Sequence, residues 1–256
     1  MNPILSGSIY SIAFFAGLLV AIEVGRRLRL WRRSHGNDVS QGLGTIEGAM
    51  FGLMALIVAF AFNGAASRFD FRRELIVKEV TAIGTAYQRI DLLAAEDRLA
   101  LQQKFKEYVD ARIALYKVRP GTQEAIVRHA KAVAIGNDVW TQAATAVASA
   151  PNPTVAALLL SAINSMIDIA TERAAAALIH PPRVVYLMLG GIAILAAMFA
   201  GYAMGAGEGR SWLHIIGFAA VLAITTYVII DLEHPRLGHF RMTGFDQLLI
   251  DWRAGI

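Results

Sequence analysis

The sequence predicts an all-α membrane protein: four transmembrane helices, with an extramembrane antiparallel helical bundle inserted between spans two and three. Three observations predict it. Charged residues avoid four runs of about twenty residues, the length that crosses a bilayer core, and crowd into what lies between them. Helical apolar periodicity continues through the charged stretch that follows the second run. Hydrophobic residues make up 56% of the 256-residue chain, above the roughly 45–50% of a soluble domain.

The first run, Met1 to Ile22, ends at Glu23 and an arginine cluster: Arg26, Arg27, Arg29, Arg32 and Arg33. A cleaved signal peptide carries its charge before the apolar region, so this segment is expected to remain as a signal anchor. The second run, Gly48 to Ser67, lies between Glu47 and Arg68. The third, Val184 to Gly207, follows His180-Pro181-Pro182-Arg183, and Glu208 and Arg210 mark a tight turn into the fourth, Ser211 to Ile230. His214 is the only ionisable residue of that run, and Pro235 stops the helix beyond Asp231-Leu232-Glu233-His234.

Between spans two and three the chain reads as a bundle. Ile76, Val80, Ile83, Tyr87, Ile90 and Ala94 alternate steps of four and three, so span two continues outward as one long helix. That helix extends to Lys117 or breaks near Ala94-Ala95-Glu96-Asp97. A second bundle helix, Thr122 to Ser149, carries Ile126, Val133, Trp140 and Val147 at sevenfold spacing and ends before Pro151-Asn152-Pro153. A third starts at Thr154 and buries Val155, Leu159, Ala162, Met166, Ile169 and Ala170. The resulting organisation is residues 1–67 for spans one and two, 68–182 for the bundle, 183–232 for spans three and four, and 233–256 as an interfacial tail.

By parity the amino terminus, the bundle and the tail share one side. The short loop with five arginines, joined by Arg210, marks the opposite side as cytoplasmic and places the bundle outside it. Gly44, Gly48 and Gly52 repeat at fourfold spacing, as do Ala193, Ala197, Gly201 and Gly205, and such stripes allow close helix packing within the chain or between subunits.

Ala66-Ser67-Arg68-Phe69-Asp70-Phe71-Arg72-Arg73, leading into Glu79 and Ala82-Ile83-Gly84-Thr85-Ala86-Tyr87, resembles the bacterial bestrophin-like membrane family. The similarity extends to Tyr108-Val109-Asp110-Ala111-Arg112, to Asn164-Ser165-Met166-Ile167-Asp168 with Arg173, to His180-Pro181-Pro182, and to Asp231-Leu232-Glu233 with Pro235-Arg236 and Gly238. Bestrophins proper are oligomeric anion channels. The resemblance implies a homo-oligomer with a pore lined by span two, a small anion as partner, and a bundle on the cytoplasmic side, against the loop-charge reading.

Several groups invite chemistry. Phe51, Met54, Val58 and Phe62 lie close to one face of span two, in which Asn63 is the only strongly polar side chain, and these residues are candidates for a pore or an apolar gate or for ordinary packing. Arg68, Arg72 and Arg73 lie one turn beyond that span, either attracting anions at a pore mouth or pairing with Asp231 and Glu233 from span four. Glu79, Arg89, Asp91, Asn164 and Asp168 form a candidate polar network in the bundle, with oxygen-ligated metal as the alternative. His180, His234 and His239 lie at similar depth without a metal-binding spacing.

With no cysteine there is no disulfide, thiolate nucleophile or Cys-based metal site. Mean hydropathy is +0.49, and a net charge of +4 with pI near 9.5 reflects arginines facing lipid phosphates rather than nucleic acid. No phosphate loop, nucleophile elbow or paired-histidine helix occurs, so neither an enzyme nor a cofactor is expected. The two functional readings are an oligomeric ion channel, with a small anion as its ion, and a non-conducting scaffold or sensor whose bundle binds a partner.

Overall fold

The computed structural model of the protein describes residues 3–36, 43–148, 152–207 and 209–256. Among these residues there are eight helices and no strand: α1 (Pro3–Ser34), α2 (Leu43–Ile90), α3 (Ala95–Tyr116), α4 (Gln123–Ala148), α5 (Pro153–Ala176), α6 (Arg183–Met204), α7 (Trp212–Glu233) and α8 (Thr243–Ala254). Met1, Ser149, Pro151 and Glu208, which served as boundaries in the sequence, lie outside the described residues.

α2 is unbroken through Arg68, as the uninterrupted stripe requires. Its 48 residues extend about 72 Å at 1.5 Å per residue, more than twice the thickness of a bilayer core. It does not reach Lys117. The helix ends at Ile90 and a turn carries the chain to α3, whose first turn holds Glu96 and Asp97 where the helix dipole favours negative charge.

Five helices are long and apolar enough to cross a membrane: α1, α2, α5, α6 and α7. The protein is therefore a helical, multi-pass membrane protein. α5 belongs to this group through Leu158, Leu159, Leu160, Ile163, Met166 and Ile167, several of which fill a core.

The chain forms two compact units. The first is Met1–Phe69 with His180–Phe240. Its interior is built from small residues: Ala21, Ala193, Ala197, Ala219 and Ala223 pack with Leu18, Ile22, Ile215 and Leu222. Backbones meet directly, because a Cβ on Gly25 would sit 1.9 Å from the Met198 carbonyl oxygen and one on Gly201 the same distance from that of Ile22. α1 and α6 therefore run parallel in contact, the close approach that small residues permit in lipid. Large apolar side chains face outward, among them Leu187, Leu213 and Val221.

The second unit is Asp70–Ile179 with Arg241–Ile256. Its core is conventional, with Ile83, Ile90, Leu101, Phe105, Val139, Leu159, Ile163, Met166 and Leu249 fully enclosed. On α4 the buried face is Ala132, Gly136, Val139, Ala143, Ala146 and Val147, so the sevenfold series is buried only at Val147, and its Ile126, Val133 and Trp140 are exposed. Gly136 lies against the Tyr108 ring, so the small face is the one that lets α4 approach α3. α8 adds Leu249 to this core and sets Trp252 edge-on to Tyr87.

Candidate functional site

The half of α2 that belongs to the first unit has two different faces. Phe51 meets the Phe218 ring edge-on at 6.0 Å, and Val58 packs on the cluster of Ala65, Leu189 and Ile229. These two candidates therefore point into their own unit. Phe62 and Asn63 are exposed, and steps of four, three and four place Leu56, Phe60, Asn63 and Ser67 on one outward face. Phe60 is 67% exposed. Nothing lies within 4 Å of a Cβ built on Gly44, Gly48 or Gly52, so this small-residue stripe is open within the chain, unlike the one on α6.

At the end of this half, Arg68 donates from Nε at 2.7 Å and from Nη2 at 2.5 Å to Oε1 of Glu233, whose carboxylate is completely buried. The His180 ring lies 3.7 Å from the other Glu233 oxygen and stacks on His234 at 5.2 Å between centroids. Asp231 caps the turn that follows α7. Its carboxylate accepts from the backbone N–H groups of His239 and Phe240 at 2.8–3.0 Å and from the Tyr227 hydroxyl. A Cβ on Gly238 would come within 2.1 Å of that carboxylate, which is why the turn needs glycine there.

The other two arginines belong to the second unit. Arg72, buried, donates to the backbone carbonyls of Ala176 and Ile179 and so satisfies the end of α5. Arg73 pairs with Asp70 at 3.1 Å and lies over the Phe245 ring at 4.4 Å. Of the two carboxylates from α7, Glu233 thus takes Arg68, while Asp231 holds backbone.

Deeper in this unit is a buried charge cluster. Glu79, fully enclosed, accepts from Arg112 Nε and from Arg173 Nη1, each at 2.6 Å, and from the Tyr116 hydroxyl. Arg173 reaches on to Asp246 at the start of α8 and stacks 3.6 Å from the Tyr116 ring centroid. Burial alone would raise the Glu79 carboxyl, but the charges and hydrogen bonds of Arg112 and Arg173 outweigh it and hold it below the usual carboxylate value. Burial and the neighbouring Glu79 push the Tyr116 phenol well above its ordinary range. Burial likewise pushes Tyr108 up to about 12.

The five residues expected to form one polar network are placed apart. Glu79 sits in the cluster just described, while Arg89 donates to the Leu158 carbonyl and Asp91 accepts from Gln102. Asn164 accepts from the Trp140 indole at 2.8 Å, and Asp168 is exposed. Among the described residues no group of three or more His, Asp or Glu side chains is placed to hold a metal ion.

Sequence reasoning missed Arg112, Tyr116 and Arg173 as partners of Glu79, and Asp246 as the second carboxylate on Arg173. A signal was present: Arg112 continues the apolar stripe Leu101, Phe105, Tyr108 of α3, and a charge in a core stripe requires a buried counter-charge.

Comparison with known proteins agrees with this architecture. Among curated proteins none matches the chain. Three crystal structures of a bacterial bestrophin homolog from Klebsiella pneumoniae share its fold. A tryptophan-to-alanine variant superposes with a TM-score of 0.72 at 13% identity, covering 98% of each chain. A tyrosine-to-alanine variant gives 0.71 at 12% identity, and a zinc-phased structure 0.69 at 13%, each covering 95% of this chain and 98% of the homolog. A bestrophin-like domain matches residues 11–243, and the chain belongs to the bestrophin-like family.

Proposed function

We propose that the protein is an ion channel, assembled as a ring of identical subunits around a pore lined by α2. The observation that carries this reading is the outward face of Leu56, Phe60, Asn63 and Ser67. An amide and a hydroxyl turned outward from a membrane helix have no partner in hydrocarbon, and are at ease only against water or a second subunit. Above them, Leu56 and Phe60 supply an apolar ring that gates by dewetting. The open glycine stripe at Gly44, Gly48 and Gly52 supports close approach of a neighbouring subunit on the same helix. A monomeric anchor would leave Asn63 and Ser67 facing hydrocarbon.

In this reading α1, the first half of α2, α6 and α7 are the four spans. The second unit, α8 included, is the extramembrane bundle. α5 stays outside the membrane because its apolar residues fill the core with Phe105 and its Arg173 is committed to Glu79. A small anion is the conducted ion, on the resemblance to bestrophins. Arg68 then serves structure rather than attraction, since Glu233 neutralises it. Phe62 and Asn63 remain pore candidates, whereas Phe51 and Val58 support the helix from behind.

We place the bundle on the cytoplasmic side of a bacterial inner membrane, following the family rather than the loop arginines. Ser34→Cys and Gln123→Cys, both at exposed positions of a cysteine-free chain, test this. Gln123→Cys is expected to label from the cytoplasm and Ser34→Cys from the opposite face; the reverse pattern restores the loop-charge assignment. Flux tests the function itself. Purified protein in liposomes is expected to conduct, with Phe60→Ala raising flux, and a monomer without flux would contradict the proposal.

A further inference from the structure

The arginines at the far end of α1 divide into two kinds. Arg29 is buried, donates to the Tyr202 carbonyl at 3.4 Å and lies 5.2 Å from the Tyr202 ring centroid, so it ties α1 to α6. Three others converge on one carboxylate. Arg26 reaches Glu23 at 3.0 Å, Arg27 at 2.8 Å, and Arg210, from the connection before α7, at 3.0 and 3.1 Å. One negative charge therefore holds three guanidinium groups and is over-neutralised. The Arg27 side chain is 75% exposed and that of Arg210 is 40% exposed, leaving donors turned outward.

Two tryptophans fix the depth of this cluster. Trp31 is 60% exposed at the end of α1, and Trp212 is 57% exposed at the start of α7, beneath the Arg210 guanidinium at 5.5 Å. Exposed indoles at the ends of apolar helices settle at the headgroup level, and the arginines share it. Planar guanidinium groups match phosphate oxygens through paired N–H donors, and match them better than a carboxylate already divided among three arginines.

We propose that Arg26, Arg27 and Arg210 form a phosphate-binding site on the membrane surface, and that its ligand is the headgroup phosphate of an anionic phospholipid. Glu23 organises the three side chains, and the phosphate completes their neutralisation. The site joins α1 to the α6–α7 connection by charge, at the end where Gly25 and Gly201 join the helices by contact.

The test uses the full-length protein in a neutral detergent, with thermal unfolding as readout. Phosphatidylglycerol is expected to raise Tm by about 2–4 °C, the shift of a moderately tight ligand for a chain of this size, and phosphatidylcholine is not. The Arg27→Gln/Arg210→Gln double variant, altered at exposed side chains, is expected to fold and to lose the shift, while Arg27→Lys/Arg210→Lys keeps part of it. If millimolar inorganic phosphate reproduces the whole shift and lipid adds nothing, the phosphate site stands and the lipid source falls. Equal shifts with both lipids, or a full shift retained in the glutamine variant, overturn the site. Because unfolding is read without conduction, this outcome is independent of whether the protein is a channel.

Discussion

The two units are built from the same helical structure but solve opposite packing problems. In the first, five alanines share the interior with Leu18, Ile22, Ile215 and Leu222, Gly25 and Gly201 stand at backbone contacts, and Leu187, Leu213 and Val221 face out; in the second, phenylalanine, leucine and isoleucine dominate the enclosed core. On the proposed topology, with the first unit in lipid and the second in water, the difference follows from the solvent. In lipid an outward leucine costs nothing and close backbone contact supplies the packing energy, whereas in water burial of large apolar area drives folding. Charge obeys the same division. In the first unit the Arg68–Glu233 pair keeps its arginine 31% exposed, while the second unit encloses Glu79 between Arg112 and Arg173, both buried, and needs every partner present.

The comparison breaks most visibly at Glu79. Glu79→Gln removes the carboxylate that two buried arginines share, and is expected to destabilise the protein by about 3–5 kcal/mol, measured by denaturant or thermal unfolding in detergent. Next comes the α1–α6 contact: Gly201→Ala or Gly25→Ala drives a methyl into backbone at 1.9 Å, and is expected to cost about 3 kcal/mol or more. The counterpart in the second unit, Gly136→Ala, meets only the Tyr108 ring edge at 3.2 Å and is expected to cost less, which sharpens the contrast. Glu233→Gln should have a smaller effect than Glu79→Gln, because the Arg68 side chain it releases is 31% exposed and reaches water.

Protonation separates the units more gently. The folded Glu79 carboxyl lies below its unfolded value of 4.5, so its contribution is complete above that pH and is lost as pH falls through the folded value. The Tyr108 phenol is raised from 10.0 to about 12, so its contribution is complete below pH 10 and fades between pH 10 and 12. Unfolding followed against pH should therefore lose stability on both flanks, and the Glu79→Gln variant should show a shallower acid limb.

Periodicity made the long elements legible. The stripe from Ile76 to Ile90 announced an unbroken α2, and Pro182 and Pro235 bounded α6 and α7. The α4 face was misjudged because sevenfold spacing selects large residues, Ile126, Val133 and Trp140, while close helix packing selected Ala132, Gly136 and Ala143. α8 was hidden in a short tail, although Phe245, Leu249 and Trp252 carry helical spacing. At the junction, spacing placed Arg68 and Arg72 one turn apart but held no information about which would meet a carboxylate and which a helix end. That choice depends on where α7 and α5 terminate in space. The Glu79 cluster was half visible, since the arginine in the α3 stripe called for a counter-charge without naming it.

In the proposed channel the Leu56, Phe60, Asn63 and Ser67 face of α2 meets water in a pore. The absence of cysteine makes a direct measurement possible. Phe60→Cys and Ser67→Cys, reconstituted in liposomes, are treated with a charged, membrane-impermeant thiol reagent while ion flux is recorded, with Leu187→Cys on the outward face of α6 as control. The reagent is expected to block flux through both α2 variants and to leave the α6 variant conducting. Flux unchanged in both α2 variants despite assembly, or block by the α6 cysteine alone, would contradict that pore lining.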